Sequence, residues 1–312
     1  MDKMVIDEAQ LSEIESLASV LKNNIAGMFG GNHQAKSFGS SCEFADYREY
    51  RQGDDVNRID WKLYARFDKL YQKLYLDERQ MHTRIYIDAS RSMQFQSPEK
   101  AEQAIRLAAA FAYLSIVEMD KVSVYAVQGS ELTELISGIV GKDAFFSSIG
   151  RLNELEFTGD AKMSEAIVPS KVGMGDGYSI LISDFLTDED FFGAIDKLAE
   201  KRRDILAVQV LSREELNPQF RGRMHLFDSE TPGLFFRKKI DKDRVNAYKE
   251  ALAYVRDRIK NYSESRGGSY LLVPAHERLF DVFFGDLVDL GVLSWRSFIL
   301  SDSSVLSRSR YS

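Results

Sequence analysis

Residues 83–93 read Thr-Arg-Ile-Tyr-Ile-Asp-Ala-Ser-Arg-Ser-Met, and residues 178–184 read Tyr-Ser-Ile-Leu-Ile-Ser-Asp. Each carries a short, largely apolar run that reaches an aspartate, Asp88 or Asp184. Runs that are apolar on both faces and too short for a helix belong to strands covered on both sides, the habit of parallel sheets. Working outward, Lys121–Val127, Ile205–Leu211 and Tyr270–Val273 read as further strands. Helical spacing fills Glu99–Glu118, Asp143–Leu152, Ser164–Val168, Asp190–Lys201, Arg244–Ser265 and Glu277–Leu287. Glu131–Ile136 is placed to fold back on Lys121–Val127 across Gln128-Gly129-Ser130, and a hairpin insertion is expected at Met224–Phe227 and Leu234–Lys238, around Thr231-Pro232-Gly233. Strands alternating with helices predict an α/β fold: a doubly wound, mostly parallel sheet with helices on both faces.

Upstream of the sheet, Leu11–Ile25 has apolar residues at three- and four-residue steps, which predicts an amphipathic helix entered near Ser12. Residues 30–41 are small and polar and read as a loop. Phe44–Arg79 mixes aromatics with charges of both signs, predicting short strands that turn at Gly53-Asp54-Asp55, with Trp61 and the tyrosines near it in a core. The boundaries that follow are 1–80 for the helix and charged-aromatic segment, 81–300 for the sheet domain and 301–312 for a tail.

The 41 Lys and Arg against 48 Asp and Glu give a net charge of −7, which argues against nucleic acid or anionic lipid as a partner of the whole surface. The single cysteine, Cys42, excludes an internal disulfide and a thiolate zinc cluster. The opening residues carry Asp2, Asp7 and Glu8 rather than the apolar core of a secretory signal. The densest apolar stretch, Leu107–Val117, falls short of the roughly 20 residues a membrane span needs. A cytoplasmic protein is expected.

In doubly wound sheets, ligands gather beyond the carboxyl ends of the strands. Asp88, Ser90 and Ser92 alternate as the chain leaves the first apolar strand, so one carboxylate and two hydroxyls can turn toward one point. With Asp184 from a neighbouring strand they make an all-oxygen shell suited to magnesium or another hard divalent cation. The competing reading is that Asp and Ser merely cap a strand end and a helix start.

Asp88-Ala-Ser-Arg-Ser-Met93 resembles the metal-ion-dependent adhesion site of von Willebrand factor A-like domains. Glu43–Tyr50, Gly53-Asp-Asp55, Arg58-Ile-Asp-Trp-Lys62, Ala65-Arg66 and Lys69-Leu-Tyr71 resemble the bacterial domain-of-unknown-function family numbered 58. The likeness runs from about Gly30 to Val273. It implies a von Willebrand A-type domain over 81–300, a non-enzymatic role in protein interaction, and a MoxR-type AAA+ ATPase as partner in assembly or regulation. The adhesion-site pattern is broken at Ala161, which stands where a metal-binding threonine is expected; Thr158, Asp160 and Ser164 are the oxygen donors a shifted loop would offer.

Two alternatives stay open: a magnesium-dependent phosphohydrolase with Asp88 as nucleophile, and a structural scaffold with a degenerate site. His33, His82, His225 and His276 are scattered without a ligand or triad spacing, and Gly173–Gly177 precedes a strand, where a phosphate loop would follow one.

Overall fold

The computed structural model describes residues 5–26, 44–52, 54–75, 81–94, 97–168, 172, 177–186, 191–218, 222–227, 235–240, 242–292 and 294–295. In chain order the elements are α1 (Glu8–Asn24), β1 (Ile25–Ala26), β2 (Phe44–Glu49), α2 (Trp61–Phe67), β3 (Tyr71–Tyr75), β4 (His82–Asp88), α3 (Glu99–Val117), β5 (Lys121–Gln128) and β6 (Glu131–Ile139). There follow α4 (Lys142–Ser148), α5 (Met163–Ala166), β7 (Tyr178–Ser183), α6 (Phe192–Glu200), β8 (Asp204–Leu211), α7 (Arg213–Leu216), β9 (Gly222–Phe227), β10 (Phe235–Ile240), α8 (Lys242–Ser265) and β11 (Ser269–Pro274). The last are α9 (Leu279–Asp281), running through a π-helical turn at Val282–Asp286 into α10 (Leu287–Asp289), and β12 (Ser294–Trp295). The chain divides into two compact units, residues 30–80 and the remainder.

Six strands of the larger unit form one sheet in the order β11-β8-β7-β4-β5-β6. All neighbours are parallel except β5 and β6, the antiparallel hairpin turning at Gly129. Counted along the chain this is the order 3-2-1-4-5-6 read from the β6 edge. The winding therefore reverses between β4 and β7, the place where doubly wound sheets open a crevice.

Strand alternation sends side chains to two separate cores. Ile85, Ile87, Val122, Val124, Ile180, Ile182, Val208 and Val210 face one side. Tyr86, Val127, Leu181 and Ala207 face the other. The first core is closed by α3, whose run of alanines lets its backbone lie close to the sheet while Ile105, Leu107 and Phe111 fill the gaps. Fully burying each such large side chain is worth about 1.5–3 kcal/mol. The second is closed by α5, α6 and α8 through Met163, Ala194, Ile195, Leu198 and Ile259.

Helix α1 begins four residues before the expected Ser12, because Asp7 caps it: the Asp7 carboxylate accepts from Gln10 N at 2.9 Å and its carbonyl from Leu11 N. Its Ile14, Leu17, Ala18 and Leu21 lie in the first core. The helix that the sequence groups with residues up to 80 thus groups in space with the sheet.

The smaller unit holds short strands as expected, β2 pairing with β3, but between them the chain forms α2 where only strands were expected. Asp60 accounts for it. Its carboxylate accepts from Lys62 N at 2.9 Å and Leu63 N at 3.2 Å, starting the helix, and also takes the Tyr47 hydroxyl and Lys73 Nζ. Trp61 is not a core residue: it is 62% exposed, with Tyr64 and Phe67 exposed beside it. The hairpin of β9 and β10 is antiparallel from Gly222↔Ile240 to Phe227↔Phe235, while its expected turn at 231–233, the loop at 30–41 and the tail at 301–312 lie outside the described residues.

Candidate functional site

Parallel pairing of β4 with β7, Ile87 opposite Ile182, brings Asp88 and Ser183 to the same carboxyl edge with Asp184 next. Ser183 Oγ donates to Asp88 Oδ2 at 2.5 Å, and Ser90 N donates to Asp88 Oδ1 at 2.9 Å. The Ser90 and Ser92 hydroxyls lie 3.0 Å apart. Three of the residues singled out in the sequence, Asp88, Ser90 and Ser92, are therefore gathered at the reversal of the winding. Burial, then the Asp184 carboxylate, push the Asp88 carboxyl up to about 6, against the hydrogen bonds from Ser183 and Ser90.

Asp184 is also at this edge, and both its oxygens are engaged. Oδ1 accepts from Leu186 N at 3.0 Å, and Oδ2 accepts from Lys100 Nζ at 2.8 Å. Lys100, on the first turn of α3, reaches on to Glu215 Oε1 at 2.7 Å, and the other Glu215 oxygen accepts from Ser212 N in the capping box that starts α7. Burial works against the charge on Lys100, but Asp184 and Glu215 outweigh it and its affinity for the proton is raised. The Asp184 carbonyl accepts from Gln209 Nε2, and Gln209 Oε1 accepts from the Tyr270 hydroxyl, so polar contacts continue from this edge through β8 to β11.

Sequence reasoning missed Ser183, Lys100 and Glu215. Ser183 stands beside the aspartate that drew attention, so its place was readable. Lys100 lies in Glu99-Lys100-Ala101-Glu102 and reads as a solvent-facing helix lysine, so nothing local betrays it.

The loop carrying Ala161 lies alongside the first motif: Thr158 N donates to the Ala89 carbonyl and Arg91 N to the Gly159 carbonyl, each at 2.9 Å. Ala161 itself is buried in the second core and bridges to Gly129. Of the neighbouring donors, the Thr158 hydroxyl is taken by Gln128 Nε2, and the Ser164 hydroxyl is buried against Gly193. Asp160 lies close to Gly129. The oxygens of Asp88, Ser90 and Ser92 are those of a hard-cation shell, and the donor set fits a divalent ion by its chemistry. Among the described residues no three His, Cys, Asp or Glu side chains cluster as ligands, so any ion here relies on hydroxyls and water beside Asp88.

Among curated proteins, an uncharacterized protein of Mycobacterium tuberculosis and another of Mycobacterium bovis are each 24% identical over 232 residues, covering 72% of this chain and 73% of theirs. Among solved structures, similarity is found to an aerotolerance-related membrane protein from Bacteroides fragilis (15% identity, 67% of this chain and 98% of that one, TM-score 0.37). It is also found to the SpRpn10 VWA domain (11%, 68% and 95%, TM-score 0.36) and to mussel proximal thread matrix protein 1 with a zinc-occupied MIDAS motif (11%, 70% and 47%, TM-score 0.40). The family model described as protein of unknown function DUF58 matches residues 46–257, and the chain belongs to that family.

Proposed function

We propose that the protein is a non-enzymatic interaction module whose strand-end crevice holds a divalent cation, magnesium in the first instance, and through it an acidic group of a protein partner. The observation that carries this reading is the convergence of Asp88 with the Ser90 and Ser92 hydroxyls, 3.0 Å apart, at the point where the sheet's winding reverses. Asp88, Ser90 and Ser92 hold the ion, while Asp184, tied to Lys100, shapes the charge behind it. When bound, the ion offers an open position to a carboxylate. One protein carboxylate and two neutral hydroxyls leave half of the divalent ion's charge uncompensated, which suits capture of an acidic ligand.

The partner in this reading is a MoxR-type AAA+ ATPase, as the family resemblance implies, and the setting is the cytoplasm. No helix among the described residues is long and apolar enough to cross a membrane.

With Ala161 in place of a hydroxyl ligand, magnesium should bind weakly, with Kd on the order of 0.1–1 mM. Calorimetry on wild type and Asp88→Ala tests the site; equal heats from the two would place the ion elsewhere. Pull-down of a purified MoxR-type ATPase should weaken with chelator and with Asp88→Ala/Ser90→Ala while the circular dichroism of the domain is unchanged. Phosphatase turnover that disappears in Asp88→Asn would replace the docking reading with the phosphohydrolase one.

A further inference from the structure

We infer that Lys100 is a resident counter-cation that sets the divalent-ion affinity of the crevice by occupying Asp184. The inference rests on the proposed ion site at Asp88, Ser90 and Ser92, and identifies what tunes it.

Lys100 is 4% exposed, and two of its three ammonium donors are accounted for, one on Asp184 Oδ2 at 2.8 Å and one on Glu215 Oε1 at 2.7 Å. The side chain is fixed from three directions. Its backbone belongs to α3, Asp184 follows β7, and Glu215 is locked by the Ser212 capping box at the start of α7. A buried ammonium pinned between two carboxylates is not a solvated surface lysine. It neutralises the carboxylate that an incoming divalent cation would otherwise use.

Asp184 follows Ser183, whose hydroxyl donates to Asp88 Oδ2 at 2.5 Å, so the carboxylate held by Lys100 stands beside the proposed ion site. An ion arriving at Asp88, Ser90 and Ser92 therefore meets an aspartate whose two oxygens are already committed, one to Leu186 N and one to Lys100. Direct ligation by Asp184 Oδ2 would set the ion against the Lys100 ammonium, 2.8 Å from that oxygen, so the ammonium disfavours it. Even without ligation, the ammonium contributes a like charge inside a poorly hydrated crevice, where such repulsion is weakly screened. Both effects act in the same direction, so removing the ammonium charge tightens divalent binding.

The experiment is calorimetric titration of the full chain with magnesium chloride, and separately with manganese chloride. Wild type, Lys100→Gln, Lys100→Arg and Lys100→Gln/Asp88→Ala are compared. Lys100→Gln should bind at least about tenfold more tightly than wild type, a conservative figure for one nearby unit charge at an effective dielectric near 20. Lys100→Arg should stay near wild type, and the gain should vanish in the double variant. Affinity in Lys100→Gln equal to or below wild type overturns the inference, as does an equal gain in Lys100→Arg, which would make packing rather than charge the cause.

The substitution leaves Asp184 and Glu215 without their counter-charge, so folding is followed by circular dichroism in the same samples. A Lys100→Gln chain that is unfolded in chelator and folds on addition of magnesium supports the inference. One that stays unfolded at saturating magnesium overturns it. The two failures are distinguishable: Asp88-dependent binding in wild type with no gain in Lys100→Gln overturns only the role of Lys100, whereas a gain that persists without Asp88 overturns the proposed ion site as well.

Discussion

Ser183 Oγ stands 2.5 Å from Asp88 Oδ2, joining β7 to β4 by side chains just beyond the last backbone pair of the two strands. The same hydroxyl accepts from Phe185 N at 2.9 Å, where the chain turns through a left-handed residue, Phe185 at φ 51°. One serine thus satisfies a buried carboxylate and fixes the loop that carries Asp184.

Ser183→Ala should cost about 1–3 kcal/mol, because it strips a hydroxyl donor from a buried carboxylate. Urea unfolding at pH 7 measures this; a loss below the experimental error would mean that Asp88 finds another donor.

Phe111→Ala should cost about 3–5 kcal/mol, the range for deleting a fully buried aromatic side chain. Phe111 is fully buried on α3, with its ring centroid 4.9 Å from that of Phe283. Comparing the unfolding midpoints of the variant and wild type gives the value, and a small loss would indicate that α3 sinks toward the sheet to close the gap.

Gly177 enters β7 at φ 136°, and a Cβ there would lie 2.6 Å from the His82 carbonyl oxygen. Gly177→Ala combines a left-handed backbone with a clash against a central strand, so a loss of at least about 1–3 kcal/mol is expected. A thermal melt unchanged from wild type would refute that close approach.

His82 contributes to the pH dependence, in the sense opposite to the buried Asp88 and Asp120. Burial, and after it Arg84, Arg203 and Lys121, lower its pKa from 6.5 to about 3, while its ring Nε2 sits 3.0 Å from Ser123 Oγ. Because the folded value lies below the unfolded one, the stability from the neutral ring is fully present above pH 6.5 and is lost as pH falls toward 3. His82→Gln should flatten the decline in unfolding free energy between pH 7 and pH 5. An unchanged slope would show that other groups govern that range.

The strand ends were legible in the sequence because parallel strands covered on both faces announce themselves as near-continuous apolar runs, and the two aspartates mark where two of those runs reach the crevice. Asp88, Ser90 and Ser92 could be gathered from their spacing alone. Lys100 could not, since its role depends on Glu215, more than a hundred residues away in the chain, and a lysine beside two glutamates looks like a solvated face. Helix α2 escaped for a related reason. Its cap is an aspartate inside a run of alternating charge, and its aromatic residues point outward, so neither a periodic apolar face nor an isolated cap marks it. The early start of α1 lay in Asp7, which a search for serine caps passes over.

The apolar face of α1 is covered by α3, and Ile25 pairs with Trp295. In the order of synthesis, α1 precedes α3 and holds Ile14, Leu17 and Leu21 uncovered until α3 has followed. By then residues 30–80, whose β2 and β3 pair with each other, are already available to close on their own short-range contacts. The nascent chain thus carries an unshielded amphipathic helix while the stretch between α1 and α3 is being made, the stage at which such surfaces draw chaperones or promote aggregation, and the pairing of β1 with β12 follows much later.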